Sequence, residues 1–228
     1  MMCRGKIKGK CLFLSIIILF ALNTAQAQKL IAIEFYSGLP YNVPLPMTIS
    51  QVGEQDISLT AHYRSDPFEI PIYWNWRISY WDDNHAFEIE ATHHKIFLKN
   101  TTPEIQEFSI SHGFNTITFN YAWKDYGFVF RAGFGLVLAH PESIIRGKKY
   151  DESGGIFDAA YQLTGPTINL AAGKRFNITQ RLFFELDTKI NLSYAKVPVA
   201  DGEAKLYNIA VQFNFGLGFD LLELQHNK

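Results

Sequence analysis

Alternation of apolar and polar residues, repeated in segment after segment from residue 56 to residue 220, constrains this chain more than any other feature. A period of two places successive side chains on opposite faces of a strand, and about 9 to 11 such residues cross a bilayer when tilted. Leu182, Phe184, Leu186, Ile190, Leu192 and Tyr194 fall on one face, and Glu185, Asp187, Lys189, Asn191 and Ser193 on the other. Further on, Tyr207, Ile209, Val211, Phe213, Phe215, Leu217 and Phe219 oppose Asn208, Ala210, Gln212, Asn214, Gly216 and Gly218. Earlier, Phe128, Phe130, Phe134, Leu136 and Leu138 oppose Arg131, Gly133 and Gly135. Eight segments of this kind are expected, the others being Asp56–Arg64, the two arms flanking Asp83-Asn84, Glu107–Trp123 and Tyr161–Arg175.

The Asp83-Asn84 dipeptide suits the positive φ of a tight hairpin turn. A two-residue turn there sets Arg77 opposite Glu90 and Ser79 opposite Glu88 on the polar face, an independent support for the register. In Glu107–Trp123 the apolar parity changes: Phe108 and Ile110 precede Gly113, while Ile117, Phe119, Tyr121 and Trp123 follow on the other phase. A β-bulge at Gly113 is the economical explanation.

Alternation alone also fits a soluble barrel or sandwich, so the fold class turns on which face is wet. The polar face carries small residues and charges of both signs, Arg77, Glu88, Glu90, Arg131, Glu185, Asp187 and Lys189, fit to fill a narrow lumen as an ion-pair network. The other face is crowded with Phe, Leu, Ile, Trp and Tyr, as lipid contact requires. The connections at Asp83-Asn84, Lys124–Gly127 and Phe176–Gln180 are short and share one end, while those near 99–106, 140–160 and 197–203 share the other. The expected fold is all-β: an eight-stranded antiparallel transmembrane β-barrel with short periplasmic turns and longer outer loops. Tyr80, Trp81, Tyr121, Trp123 and Tyr126 are expected to form an aromatic girdle at the periplasmic end.

The first 27 residues read as a cleaved signal peptide. Arg4, Lys6, Lys8 and Lys10 precede the apolar run Leu12–Leu22, and Ala25-Gln26-Ala27 supplies the small-x-small cleavage pattern. Cys3 and Cys11 both lie in this leader, so the mature chain has no cysteine and draws no stability from disulfides. Removing four positive charges turns the balance of 21 Lys+Arg against 22 Asp+Glu into 17 against 22, without the basic excess of a nucleic-acid binder. Residues 28–55, with Ile31, Ile33, Phe35 and then Pro40, Pro44 and Pro46, read as a periplasmic arm, a lumen plug or a further strand. The barrel is expected over 56–220, with 221–228 as a tail.

The leader, the alternating strands and an aromatic last strand closing on Phe219 together resemble the small eight-stranded outer-membrane β-barrel proteins of Gram-negative bacteria. The resemblance is one of architecture and covers roughly residues 56–220; such chains commonly end on the aromatic residue, whereas Asp220–Lys228 follow here. It implies residence in the cell outer membrane, outer-membrane lipids and lipopolysaccharide as surroundings, and the barrel assembly machinery as partner.

Five of the seven histidines, His62, His93, His94, His112 and His140, gather near the outer rim in this register, with His62, His94 and His112 expected to point inward. Ser111 and Glu142 are close by in sequence. Serine becomes a nucleophile when a base takes its proton and a third group holds that base, so the candidate catalytic set is Ser111 as nucleophile, His94 or His112 as base and Glu142 as orienting carboxylate. The resemblance includes lipid A deacylases and palmitoyltransferases whose Ser and His lie near the outer leaflet, which implies lipid-modifying acyl hydrolysis or transfer as one function. The alternatives are rim histidines that make ordinary hydrogen bonds in a structural or surface-binding barrel, and a narrow channel. Imidazoles from several strands could converge on a metal, but no short ligand spacing is present, and neither metal nor other cofactor is expected. Gly154-Gly155 lacks the strand-to-helix setting of a phosphate loop and reads as loop.

Overall fold

The computed structural model describes residues 29–151, 156 and 160–224. The leader, Gly154-Gly155 and residues 225–228 lie outside the described residues. The described chain is built of strands: β1 (Lys29–Val43), β2 (Leu45–Gln51), β3 (Ile57–Ala61), β4 (Tyr63–Arg64), β5 (Trp74–Asp82), β6 (His85–Leu98), β7 (Ile105–Asp125), β8 (Phe128–Ala139), β9 (Glu142–Ile145), β10 (Lys148–Lys149), β11 (Gln162–Asn177), β12 (Leu182–Val199) and β13 (Gly202–Leu224).

Eight of these close into an antiparallel ring in the order β1, β5, β6, β7, β8, β11, β12, β13 and back to β1. The hairpin over Asp83-Asn84 has the expected register, Arg77 opposite Glu90 and Ser79 opposite Glu88, with Asp83 at φ 57°. The bulge is also present: β6 and β7 slip between His94 and Ile96, opposite the stretch from Phe114 to Ile110, and Gly113 stands at φ 132°.

Two boundaries differ from the sequence reading. The ring starts at Lys29, not at residue 56: β1 pairs with β13 from Lys29↔Leu224 to Val43↔Ile209, and with β5 from Lys29↔Asp82 to Tyr36↔Asn75. Of the three roles open to residues 28–55, the further strand is the one seen. Pro40 is tolerated because the β5 ladder ends at Tyr36, which leaves it paired on the β13 side only. The last strand runs on past Phe219 to Leu224 inside the same ladder, so the supposed tail begins as barrel.

Asp56–Arg64 alternates but is not a ring strand. It forms β3 and β4, with Ile57, Ala61 and Tyr63 facing an apolar core at the outer end of the barrel and Ser58, Thr60 and His62 facing out. The long ring strands change character there. Along β12, Glu185, Asp187, Lys189, Asn191 and Ser193 point inward, and the same parity then continues with Ala195, Val197 and Val199, all buried. Bilayer crossing needs about 9 to 11 residues; β7, β12 and β13 have 21, 18 and 23 and carry on into water. Above the membrane the pattern becomes that of a soluble protein, apolar within and polar without. Met47, Ile49, Ile96, Ile105, Phe108, Ile110, Phe114, Val137, Ile145, Val197 and Leu206 fill this head. On its surface, hydrogen bonds from Lys196 and then Lys205 hold the Glu203 carboxyl below its ordinary value.

Within the membrane the polarity is reversed. Phe35, Phe87, Phe134, Phe213 and Leu217 are exposed on the lipid-facing wall, from 51% at Leu217 to 70% at Phe134. Inside, Glu34, Glu88, Glu90, Glu185 and Asp187 meet Arg77, Arg131, Arg175 and Lys189. Arg77 reaches Glu34 at 2.7 Å and Glu90 at 2.6 Å; Arg131 reaches Glu185 at 2.7 Å, Glu88 at 3.0 Å and Asp187 at 3.2 Å; Lys189 reaches Glu90 at 2.8 Å. All seven residues assigned to the lumen from sequence are there. Glu34 and Arg175 complete the set, and the hydroxyl of Tyr73, from the segment before β5, lies 2.9 Å from Gln212 Oε1 and 2.7 Å from Asn214 Oδ1. At the periplasmic mouth Tyr80, Tyr121 and Tyr126 are exposed as a girdle requires, but Trp81 turns inward. Its parity is that of Arg77 and Ser79, and it packs with Ala32, Ala86, Ala122 and Val129 beneath Lys124, whose Nζ lies 4.3 Å from the ring.

Candidate functional site

The bulge at Gly113 decides where the rim chemistry stands. The irregular residue re-aims His112, which points outward with 56% of its side chain exposed instead of into the lumen. It also lets two sequence neighbours meet, with Ser111 Oγ 3.1 Å from His112 Nδ1. A Cβ at position 113 would run into the Asn115 side chain at 2.5 Å and the His93 ring at 2.7 Å, so both the φ and the space call for glycine.

Glu142 arrives from β9, which leaves the ring and pairs with the outer part of β7, Glu142 opposite Ser109. Its Oε1 accepts a hydrogen bond from Ser111 and lies 2.6 Å from His112 Nδ1. Three of the four residues proposed from sequence are therefore in mutual contact. The fourth, His94, is on the inner side of the wall, buried edge-on against Phe114, with Nε2 3.3 Å from Asn42 Oδ1. It caps the polar lumen where the apolar head begins.

The contacts have a particular order. In a serine–base–carboxylate relay the two partners use different nitrogens of the imidazole. Here Ser111 and Glu142 both address Nδ1 of His112, and the serine donates to the carboxylate. The group is a hub on one nitrogen, and the Ser111 proton has two neighbouring acceptors.

Two further residues belong to the cluster and were not singled out as a set from sequence. His140 stacks on His112, ring centroids 4.7 Å apart and 27° between planes, and meets Tyr161 edge-on at 5.3 Å. Tyr161 donates its hydroxyl to the His112 carbonyl at 2.7 Å, and the His140 amide donates to the Gly113 carbonyl at 3.3 Å. One donor atom from each of His112, His140 and Glu142 lies within 4.8 Å of the others. The signal for this in sequence is the spacing His140, Glu142 on one parity of an extended chain; the contribution of His112 depends on the bulge and could not be read by alternation.

The height of the cluster follows from the register. Leu136 and Leu138 precede His140 on the same outward parity, and Leu163 opposite Leu138 is exposed on the neighbouring strand. The cluster thus sits on the outer wall just beyond these apolar residues, where the lipid-facing belt gives way to the head.

No protein-family model and no curated protein matches the chain. Among solved structures it is similar to the attachment invasion locus protein Ail of Yersinia pestis, at 9% identity over 85% of this chain and 99% of that one, TM-score 0.37. It is also similar to the outer membrane protein OprG of Pseudomonas aeruginosa, at 10% identity over 86% and 98% of the two chains, TM-score 0.42. A third is the outer membrane protein AlkL, determined in lipid bilayers, at 11% identity over 89% and 93%, TM-score 0.47. The architecture assigned here rests on this chain's own closed ring and lipid-facing belt.

Proposed function

We propose that this chain is an outer-membrane barrel with a structural or surface-binding role, which presents a rigid β-structured head to the exterior. One observation carries the reading: directly above the charged lumen, the ring fills with buried apolar side chains, Phe108, Ile110, Phe114, Met47 and Val197 among them. A conduit for ions or polar solutes needs water along its length, and a dry plug of this kind opposes it. Outer-leaflet lipids and lipopolysaccharide would surround it, and the barrel assembly machinery would insert it. The test is reconstitution of the folded chain into planar bilayers, together with mass spectrometry of outer-membrane lipids from cells with and without the protein. The reading expects no single-channel steps and unchanged lipids. Discrete steps would replace it with a channel, and gain or loss of an acyl chain with an enzyme.

A second reading is favoured by the contact of Ser111, His112 and Glu142 at the edge of the lipid-facing belt: a lipid-modifying acyl hydrolase or transferase, in the manner of a lipid A deacylase. Ser111 would attack the acyl carbonyl as His112 or Glu142 takes its proton; the ester C–O bond would break, the proton would pass to the departing lipid hydroxyl, and water or an acceptor hydroxyl would then release the acyl group from Ser111. This reading expects an acyl change that disappears with His112→Ala while the heat-dependent gel shift of the folded barrel is kept.

A further inference from the structure

We infer that His112, His140 and Glu142 form a binding site for a divalent transition metal of the zinc class on the outer wall of the barrel, at the boundary between lipid belt and head. Two of its ligands, His112 and Glu142, are also the base and carboxylate of the acyl-transfer reading, so His140, which that reading does not use, is the residue that tells the two apart.

The donor set comes first. Two imidazoles and one carboxylate, with three protein ligands and a further position open, are suited to Zn²⁺, Cu²⁺ or Ni²⁺. Mg²⁺ and Ca²⁺ require mostly oxygen ligands, and here one carboxylate would face two nitrogens. Tetrahedral ligation at about 2.1 Å places donors about 3.4 Å apart. The three donors already lie within 4.8 Å of one another, so modest side-chain rotations close the site. His112, with 56% of its side chain exposed, has room to make them; Glu142, at 20%, has less.

The scaffold comes second. His112 stands at the bulge within β7, His140 directly after β8 and Glu142 at the start of β9, and hydrogen bonds tie these segments together: the His140 amide to the Gly113 carbonyl, the Tyr161 hydroxyl to the His112 carbonyl, and β9 to β7 by the Glu142↔Ser109 pair. Ligand positions are therefore largely set before the ion arrives, which lowers the entropic cost of assembling the site. His112 Nδ1 and Glu142 Oε1 face each other at 2.6 Å, and small side-chain rotations open the space between them to a cation. Water or a phosphate oxygen can fill the open position.

The experiment uses untagged mature protein folded in detergent micelles, since a histidine tag would itself bind metal. Isothermal titration with ZnCl₂, and separately with CaCl₂, is run on the native chain and on His112→Ala, His140→Ala, Glu142→Gln and, as control, His62→Ala, an exposed rim histidine outside the cluster. Each variant is first checked for the heat-dependent gel shift. The inference expects one zinc per barrel, a loss of affinity of at least tenfold in both histidine variants, a smaller loss in Glu142→Gln, no change in His62→Ala and no heat with calcium. Electron paramagnetic resonance of the Cu²⁺ form should show two coupled nitrogens, falling to one in His140→Ala. Absence of a one-to-one site in the native chain, or zinc affinity unchanged by His140→Ala, overturns the inference. A functional loss in His112→Ala alone, with zinc binding intact in His140→Ala, would speak for the acyl-transfer reading instead.

Discussion

Arg131 shows what a single side chain holds in this barrel. It is buried among Glu88, Glu185 and Asp187, within 3.2 Å of each, and its loss leaves the five lumen carboxylates with only Arg77, Arg175 and Lys189 to balance them. Breaking a buried pair by removing one partner costs about 3–5 kcal/mol, because the remaining charge is uncompensated. Arg131→Met should therefore destabilise the barrel by about that amount, measured as a lowered urea midpoint for unfolding from lipid bilayers. A midpoint equal to that of the native chain would mean that the lumen network is replaceable packing. Gly113 is the other position where one residue decides much. At φ 132°, and with Asn115 and His93 against any Cβ, Gly113→Val is expected to cost about 1–3 kcal/mol in backbone strain. It should also separate Ser111 from His112, visible as a shift in the His112 ring resonances by nuclear magnetic resonance.

Among the elements, those with one uninterrupted environment were legible in the sequence, and those that change environment were not. The hairpin of β5 and β6, the phase shift in β7 and the whole of β12 and β13 within the membrane follow from period two and a single turn dipeptide. The segment Asp56–Arg64 also alternates, but its apolar side faces inward, into the head. Alternation reports two faces and cannot say which of them is wet. β1 was hidden for the opposite reason: Gly38, Pro40, Pro44 and Pro46 interrupt the pattern, and only the ladder with β13 shows that Pro40 sits where β5 no longer needs its amide. At the rim, Ser111 and Glu142 could be proposed as partners, while the stacking of His140 on His112 needed the bulge. The head is an element with its own core, so Ile49→Asp, at a fully buried position, should loosen it and leave the lumen ion pairs in place. Trypsin is then expected to cut at Lys148, Lys149 or Lys205 while the membrane-embedded strands stay protected. Loss of the gel shift in the same variant would show that head and barrel fold as one unit.

Taken whole, the molecule is a ring whose polarity inverts along its axis. Charges fill the membrane part, apolar side chains fill the head, and the lipid-facing belt ends where the inner filling changes. This arrangement stabilises each half in its own solvent and closes the lumen from outside. It depends on β1 completing the ring against β13, and the lack of cysteine beyond Cys11 allows a direct check. Phe35 and Leu217 face each other across that seam on the lipid side, where opposed residues in an antiparallel pair stand about 4.5–5.5 Å apart, within disulfide reach. The measurement is oxidation of the Phe35→Cys, Leu217→Cys double variant in membranes, followed by gel electrophoresis before and after reduction. A fast, complete crosslink in a chain that keeps its heat-dependent mobility is the result this structure requires. A folded chain that fails to crosslink there, and instead joins position 217 to a cysteine placed at Leu59, would show that residues 56–64 close the barrel and that β1 lies outside it.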